Sequence, residues 1–321
     1  MTLIFAGFET VKKAQLSFRK INIDDDFNVV EDLPVVQDPE DVQLEISGIY
    51  FAADSAITSG GKTLLNDFRK IYPVRVGLWR PYFAGGIFRG YAEEFLKFDV
   101  AIAFAGSTLS AQHYLNVITK HLANLRISYK KGCASIKYTV LLDCQENPLE
   151  SGGYAKFEDD TFLYTHFKGI LTAEYISTVV LHSIKKGVSS ARQYKLSEDE
   201  FKSLFVEMAL GVECPSTKKH HLYKYTMKSF VNNGLNDVDV VVEEVGCNEV
   251  IVLGMSEKYK DDATDMHNNI KKSGVSAAMG MFDYLNNIIE ELNRDGDKRI
   301  AKPSILKIYK SGKLDIAKHQ K

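Results

Sequence analysis

Strand-like and helix-like segments of this chain come in runs, and that ordering constrains its fold more than any bulk property. Apolar runs and alternations predict strands over residues 2–9, 44–57, 100–105, 138–143, 238–242 and 250–253. Helical spacing predicts helices over 109–125, over 189–194 continuing into 198–210, and over 266–292. In the first of these, Leu115, Ile118, Leu122 and Leu125 fall on one face. Ser197 reads as a helix N-cap, with Glu198, Asp199 and Glu200 where the helix dipole favours acids. A doubly wound parallel sheet would alternate strand and helix one by one. Long helices between runs of strands instead favour helices stacked outside two packed sheets, an α+β sandwich. The chain shows no internal repeat and no low-complexity tract.

Chemistry concentrates at the ends of these segments. The run Phe51-Ala52-Ala53-Asp54-Ser55 puts an acid at the end of an apolar strand, and Arg69-Lys70-Ile71 supplies a lysine sixteen positions later. Such an arrangement predicts a buried ion pair. Removal of Met1 would leave Thr2 as the first residue, followed by the strand-like Leu3-Ile4-Phe5-Ala6-Gly7. Downstream, Ala103-Phe104-Ala105-Gly106-Ser107-Thr108 reads as a strand, a tight turn and the start of a long helix. Two further segments are Glu213-Cys214-Pro215-Ser216, an acid-x-x-Ser pattern, and His182-Ser183-Ile184.

In this order the blocks resemble the proteasome β-subunit family, including the HslV-type proteases, which are N-terminal threonine hydrolases. The separation of Asp54 and Lys70 equals the one typical of that family's acid and lysine. The resemblance covers core elements between residues 2 and about 255. It implies a four-layer αββα sandwich of N-terminal nucleophile (Ntn) hydrolase type. It also implies Thr2 as nucleophile, Asp54 and Lys70 beside it, and the Gly106 backbone N–H in an oxyanion hole. Glu213 and Ser216 would support the nucleophile. Ser183 stands where the family has a Gly-Ser-Gly turn, here degraded to His182-Ser183-Ile184. Lengths depart as well: an acid-rich insertion falls near 10–43 and another near 75–98. Residues 1–255 are accordingly expected to form the core, and 256–321 a helical extension ending in a basic tail.

The grouping is chemically coherent. A threonine hydroxyl is a weak nucleophile and needs an adjacent base. A free α-amino group, with a pKa of about 7.7–8.0, can serve on the same residue. A neighbouring Lys70 ammonium would disfavour protonation of that amine, and Asp54 would hold the lysine in place. The expected activity is peptide-bond hydrolysis inside a homo-oligomeric ring fed by a separate ATP-driven unfoldase, on peptide or unfolded-protein substrates. Two alternatives stay open: a catalytically inactive scaffold, and an Ntn amidohydrolase acting on a small molecule. A competing pattern, Ala56-Ile57-Thr58-Ser59-Gly60-Gly61-Lys62-Thr63, fits a relaxed phosphate loop, but alanine replaces its first glycine. A hairpin loop from Thr58 to Lys62 is the simpler reading.

Composition narrows the partners. The 321 residues are 45% hydrophobic with a mean hydropathy of −0.16, as expected of a soluble core-forming chain. A formal net charge of −2 gives no general attraction to nucleic acid. No apolar run approaches the roughly 20 residues of a membrane span, and the first residues lack the pattern of a secretory signal. Cys133, Cys144, Cys214 and Cys247 lie far apart with no CxxC spacing, which reads as reduced thiols and argues against a zinc site. His220 and His221 are adjacent, so on a strand they would point to opposite faces. A cytoplasmic hydrolase with no cofactor is the expectation.

Overall fold

Two large sheets organise the computed structural model, which describes residues 2–12, 16–17, 35–36, 44–59, 62–130, 136–153, 155–191, 196–232 and 235–320. Elements are numbered in chain order. The first sheet runs β14 (Ile251–Gly254), β1 (Leu3–Lys12), β4 (Leu44–Asp54), β15 (Ser304–Lys310), β16 (Lys313–Gln320). Each neighbouring pair in it is antiparallel. The second runs β10 (Tyr138–Leu141), β9 (Leu125–Tyr129), β7 (Ile71–Ala84), β8 (Ile87–Gly106), β11 (Val206–Glu213), β12 (His220–Asn232), β13 (Leu235–Glu244). There β7 and β9 pair in parallel. Two small ribbons are β2 (Leu16–Ser17) with β3 (Val35–Val36), and β5 (Ile57–Ser59) with β6 (Lys62–Leu65). Six α-helices occur among the described residues: α1 (Thr108–Ala123), α2 (Pro148–Ser151), α3 (Ala173–Ala191), α4 (Glu198–Lys202), α5 (Ser256–Ser273) and α6 (Ala277–Arg294). The expected class therefore holds as a mixed α/β architecture with two large sheets. No helix is long and apolar enough to cross a membrane among the described residues.

Three buried clusters explain the apolar runs. Side chains alternate across a strand, so β4, buried on both faces, reads as one continuous apolar segment. Its Ile49, Phe51 and Ala53 meet Ile4 and Ala6 of β1 and Ala101, Ala103 and Ala209 of the second sheet. Small residues on that sheet let the two backbones approach. At Gly211 an added Cβ would lie 2.9 Å from the Phe51 ring. Tyr50 and Ala52 face the other way, into a cluster with Met281, Phe282, Leu285 and Ile289 of α6. The third cluster packs Val100, Ile102, Phe104 and Leu210 against Leu115 and Ile118 of α1 and Ile176 and Val180 of α3. Burying each such large side chain stabilises the fold by about 1.5–3 kcal/mol.

Several expected elements change type. The helix expected over 198–210 stops at Lys202, and β11 starts at Val206. Its capping box at Ser197 and Glu200 is formed, but Val206, Met208, Leu210 and Val212 alternate with period two and join the sheet core. The helix expected over 266–292 is two helices, because Gly274 takes a left-handed conformation (φ 74°) that caps α5. Of the helix expected at 189–194, residues 189–191 are the end of the much longer α3, and 192–194 lie outside the described residues. Residues 75–98, expected as an insertion, extend the β7–β8 hairpin about the Gly85-Gly86 turn. The end of the expected helical extension is a β-hairpin that completes the first sheet, β15 pairing along β4. Most of the acid-rich segment 10–43, together with Cys133, Gly60 and Gly61, lies outside the described residues. The expected hairpin after Thr58 is present, with Ser59 opposite Lys62.

Candidate active site

The register of β1 against β4 builds the first half of the site. Ile4 pairs with Ala53, which sets the start of β1 beside Asp54 at the end of β4. The Leu3 N–H donates to Asp54 Oδ1 at 2.9 Å and the Ala56 N–H to Oδ2 at 3.0 Å. Lys70, just ahead of β7, donates from Nζ to Asp54 Oδ1 at 2.8 Å. The Lys70 and Asp54 side chains are 3% and 0% exposed. Burial lowers the Lys70 ammonium pKa, opposed by the attraction of Asp54. Burial likewise raises the Asp54 carboxyl, opposed by Lys70 and the two backbone donors. A buried ion pair is tolerable only when its hydrogen bonds are made, and here Asp54 accepts three.

The second sheet supplies the other half. The Phe104 N–H donates to the Lys70 carbonyl at 3.2 Å, which sets Lys70 beside the end of β8. Two residues on, Gly106 leaves the strand at φ 111°, where an added Cβ would lie 2.4 Å from the Phe205 carbonyl oxygen. Ser107 then caps α1, its side chain accepting from the Ser110 N–H. Gly254 closes the opposite wall. At φ 90° it lies so near Thr2 that a Cβ would come 2.0 Å from the Thr2 carbonyl oxygen. Its N–H donates to Glu207 Oε2 at 2.7 Å.

These elements enclose a pocket of about 270 Å3, lined by Thr2, Thr58, Phe68, Lys70, Phe104, Gly106, Thr108 and Gly254 among others. Thr2 itself is largely buried. A neighbouring cavity of about 510 Å3 shares Ala105, Gly106 and Gly254 with it, and reaches Glu207, Thr226, Met227 and Arg299. One small cavity thus brings together a threonine, a buried ammonium and a glycine turn.

The structure thus gathers Thr2, Asp54, Lys70 and Gly106. It does not bring Glu213, Ser216 or Ser183 to them. Val206 at the start of β11 pairs with Gly106, so Glu213 at its end lies roughly 20 Å along the strand. There its carboxylate faces His220 Nε2 at 3.7 Å, and its N–H meets the Tyr309 hydroxyl at 3.3 Å. Ser216 Oγ sits 3.0 Å from Cys214 Sγ, in the turn beyond. Ser183 is buried in α3, on the helix-covered face of the second sheet, and bonds His121. Sequence reasoning missed Gly254 and Glu207. The sequence offers for Gly254 only a glycine that follows the apolar run over residues 250–253, with nothing to place it beside Thr2.

No protein-family model matches the chain, and no curated protein matches it. Among solved structures it is similar to an Anbu (Gly-1) mutant from Hyphomicrobium sp. strain MC1. That likeness has 11% identity and a TM-score of 0.41, and covers 99% of this chain and 86% of that one. A likeness at that level carries no argument about fold or activity. The resemblance to the proteasome β-subunit and HslV-type family is therefore corrected: four short blocks in order are too little sequence to establish descent, and no family model recognises them.

Proposed function

We propose that this chain is an N-terminal threonine hydrolase acting on amide bonds, with peptide bonds as its substrate class. The observation that carries the reading is the buried Asp54–Lys70 pair, whose Lys70 lines one pocket together with Thr2 and Gly106. Exposure of the Thr2 amine requires loss of Met1 and of anything preceding it. The free α-amine then takes the Thr2 hydroxyl proton as Oγ attacks the carbonyl carbon. Backbone N–H groups at the Gly106 turn face the developing oxyanion, each such donor being worth about 3–4 kcal/mol in related chemistry. The amine returns the proton to the leaving nitrogen. Water then hydrolyses the Thr2 ester, releasing the acid and restoring the hydroxyl. Lys70 disfavours protonation of the α-amine throughout, and Asp54 positions Lys70.

The same reading takes the fold as an αββα sandwich of Ntn type. Its support is the division of the core into one cluster between the sheets and one under each helix layer. The cavity continuing past Gly106 toward Arg299 favours an extended peptide over a compact small molecule. Self-assembly into a ring around these sites is part of the proposal. Leu109, 83% exposed beside the pocket residue Thr108, is the apolar side chain that a neighbouring copy would cover.

Intact mass after incubation with a β-lactone or epoxyketone probe tests the reading. The expected product lacks Met1 and carries one probe on Thr2. Retention of Met1 overturns it. A second reading, an inactive scaffold, draws on the placement of Ser183, Glu213 and Ser216 away from Thr2. A chain that lacks Met1 yet takes no probe would select that reading.

A further inference from the structure

On the outer face of the second sheet, α1, α3 and the turn after β10 bring three good metal ligands together. Ligand atoms of His121, Cys144 and His182 all lie within 4.8 Å of one another. Cys144 Sγ and His182 Nε2 are 3.6 Å apart. A tetrahedral zinc with bonds of about 2.3 Å to sulfur and about 2.1 Å to nitrogen spaces its ligand atoms by roughly 3.6 Å. His121 is already oriented. Ser183 Oγ donates its one hydrogen to the Val179 carbonyl at 2.7 Å, so at 2.8 Å it can only accept from His121 Nδ1. That bond fixes the tautomer and leaves Nε2 as a bare lone pair. Facing it at 3.9 Å is Asp143 Oδ1, a buried carboxylate oxygen with no hydrogen-bond partner. His121 Nε2 thereby stays available as a metal ligand, with the Asp143 carboxylate close by. Lys120 Nζ, 3.5 Å from Oδ2, engages the other oxygen of the same carboxylate.

We propose that His121 Nε2, Cys144 Sγ and a ring nitrogen of His182 form a binding site for a divalent transition ion, zinc by ligand chemistry. Two imidazoles and one thiolate supply three ligands of a tetrahedral zinc set, with water in the fourth position. Ser183 is its positioning residue, the outer partner that a ligating histidine almost always has. This gives Ser183 a role independent of Thr2. The ion would clip α1 to α3 and both to the β10 turn, and binding would release the Cys144 thiol proton. The ligands stand at 121, 144 and 182, so no compact sequence motif announces them.

Cobalt titration of the reduced, full-length protein tests the site, followed by competition with zinc. One equivalent should bind with a thiolate-to-cobalt charge-transfer band and the strong visible absorption of tetrahedral cobalt, and zinc should abolish both. Cys144→Ser alters an exposed side chain and His182→Ala a half-buried one. The first should eliminate the charge-transfer band, and each should weaken binding by at least tenfold. Ser183→Ala should retain the band while losing about 10–100-fold in affinity. Cys247→Ser, at an exposed thiol elsewhere, should match the wild type. Absence of the band in the wild type overturns the proposal, as does its survival in Cys144→Ser or its loss in Cys247→Ser. Probe labelling at Thr2 is a separate readout, so failure here leaves the hydrolase reading standing.

Discussion

Strand β4 carries two buried polar side chains four residues apart, and they are treated in opposite ways. Tyr50 lies in the core under α5 and α6 and makes one hydrogen bond, its hydroxyl 3.0 Å from His267 Nδ1. Asp54 lies at the strand end, where two backbone N–H groups and an ammonium converge on it. Burial lowers His267 to about 4 and raises Tyr50, so both stay uncharged near neutrality. A neutral pair can fill a core with one bond between its members. Burying a carboxylate opposite an ammonium requires a shell of donors, and it is built where the two sheets meet a cavity. That difference separates a structural polar contact from a candidate site on one strand.

The comparison breaks first at Asp54. Asp54→Asn leaves the Lys70 charge buried without its partner, and chemical denaturation at neutral pH should register a loss of about 3–5 kcal/mol. Lys70→Ala should retain a folded chain but reduce hydrolysis and probe labelling below detection. Lys70→Arg should fail equally, since a planar guanidinium cannot replace a compact ammonium. Wild-type turnover in Lys70→Ala would sink the pairing argument.

The Tyr50 side is sharpened by acid. The folded pKa of His267 is depressed by burial, first of all, and by Lys271. Its contribution to stability is therefore fully present above the unfolded value of about 6.5 and is lost as pH falls toward about 4. Melting curves should show a decline of roughly 2–3 kcal/mol across that window. His267→Phe should flatten this decline, and an unchanged slope would count against the assignment.

Gly254 tests how closely Thr2 is held. Gly254→Ala requires a left-handed conformation, costing about 1–2 kcal/mol, and forces the strand start away from its place. Turnover should fall by more than stability does; equal turnover at wild-type level would mean that the Thr2 position tolerates movement. The smallest effects belong to the far end of β11. Glu213→Gln and Ser216→Ala should leave hydrolysis within about twofold, corresponding to less than about 0.5 kcal/mol. A large loss would restore them to the catalytic set.

What was legible in the sequence was local. An acid ending the β4 apolar run and a glycine ending the β8 run are signals carried by neighbouring residues, and Asp54 and Gly106 could be read from them. Gly254 could not, because its constraint is the carbonyl of a residue on another strand. Ser183, Glu213 and Ser216 were assigned by resemblance alone, and the fold puts them elsewhere. The hairpin β15–β16 passed for a basic tail because its lysines alternate with apolar residues: β15 buries Leu306 and Tyr309, while β16 forms the sheet edge. Edge lysines are a common protection against unwanted strand pairing. The metal-ligating cluster was invisible to spacing arguments, since tertiary packing alone assembles it.

The pairing of Leu3 with Gly254 and of Ala53 with Ile305 has a consequence in time. During synthesis β1 and β4 emerge about 200 residues or more ahead of β14 and β15, the strands that flank them. Contacts this distant in sequence form late and slowly. A nascent polypeptide therefore carries Thr2, Asp54 and Lys70 long before it has the wall that Gly254 provides. Gly254 follows Asp54 by 200 residues, so a ribosome stalled between them holds these side chains without the cavity that gathers them.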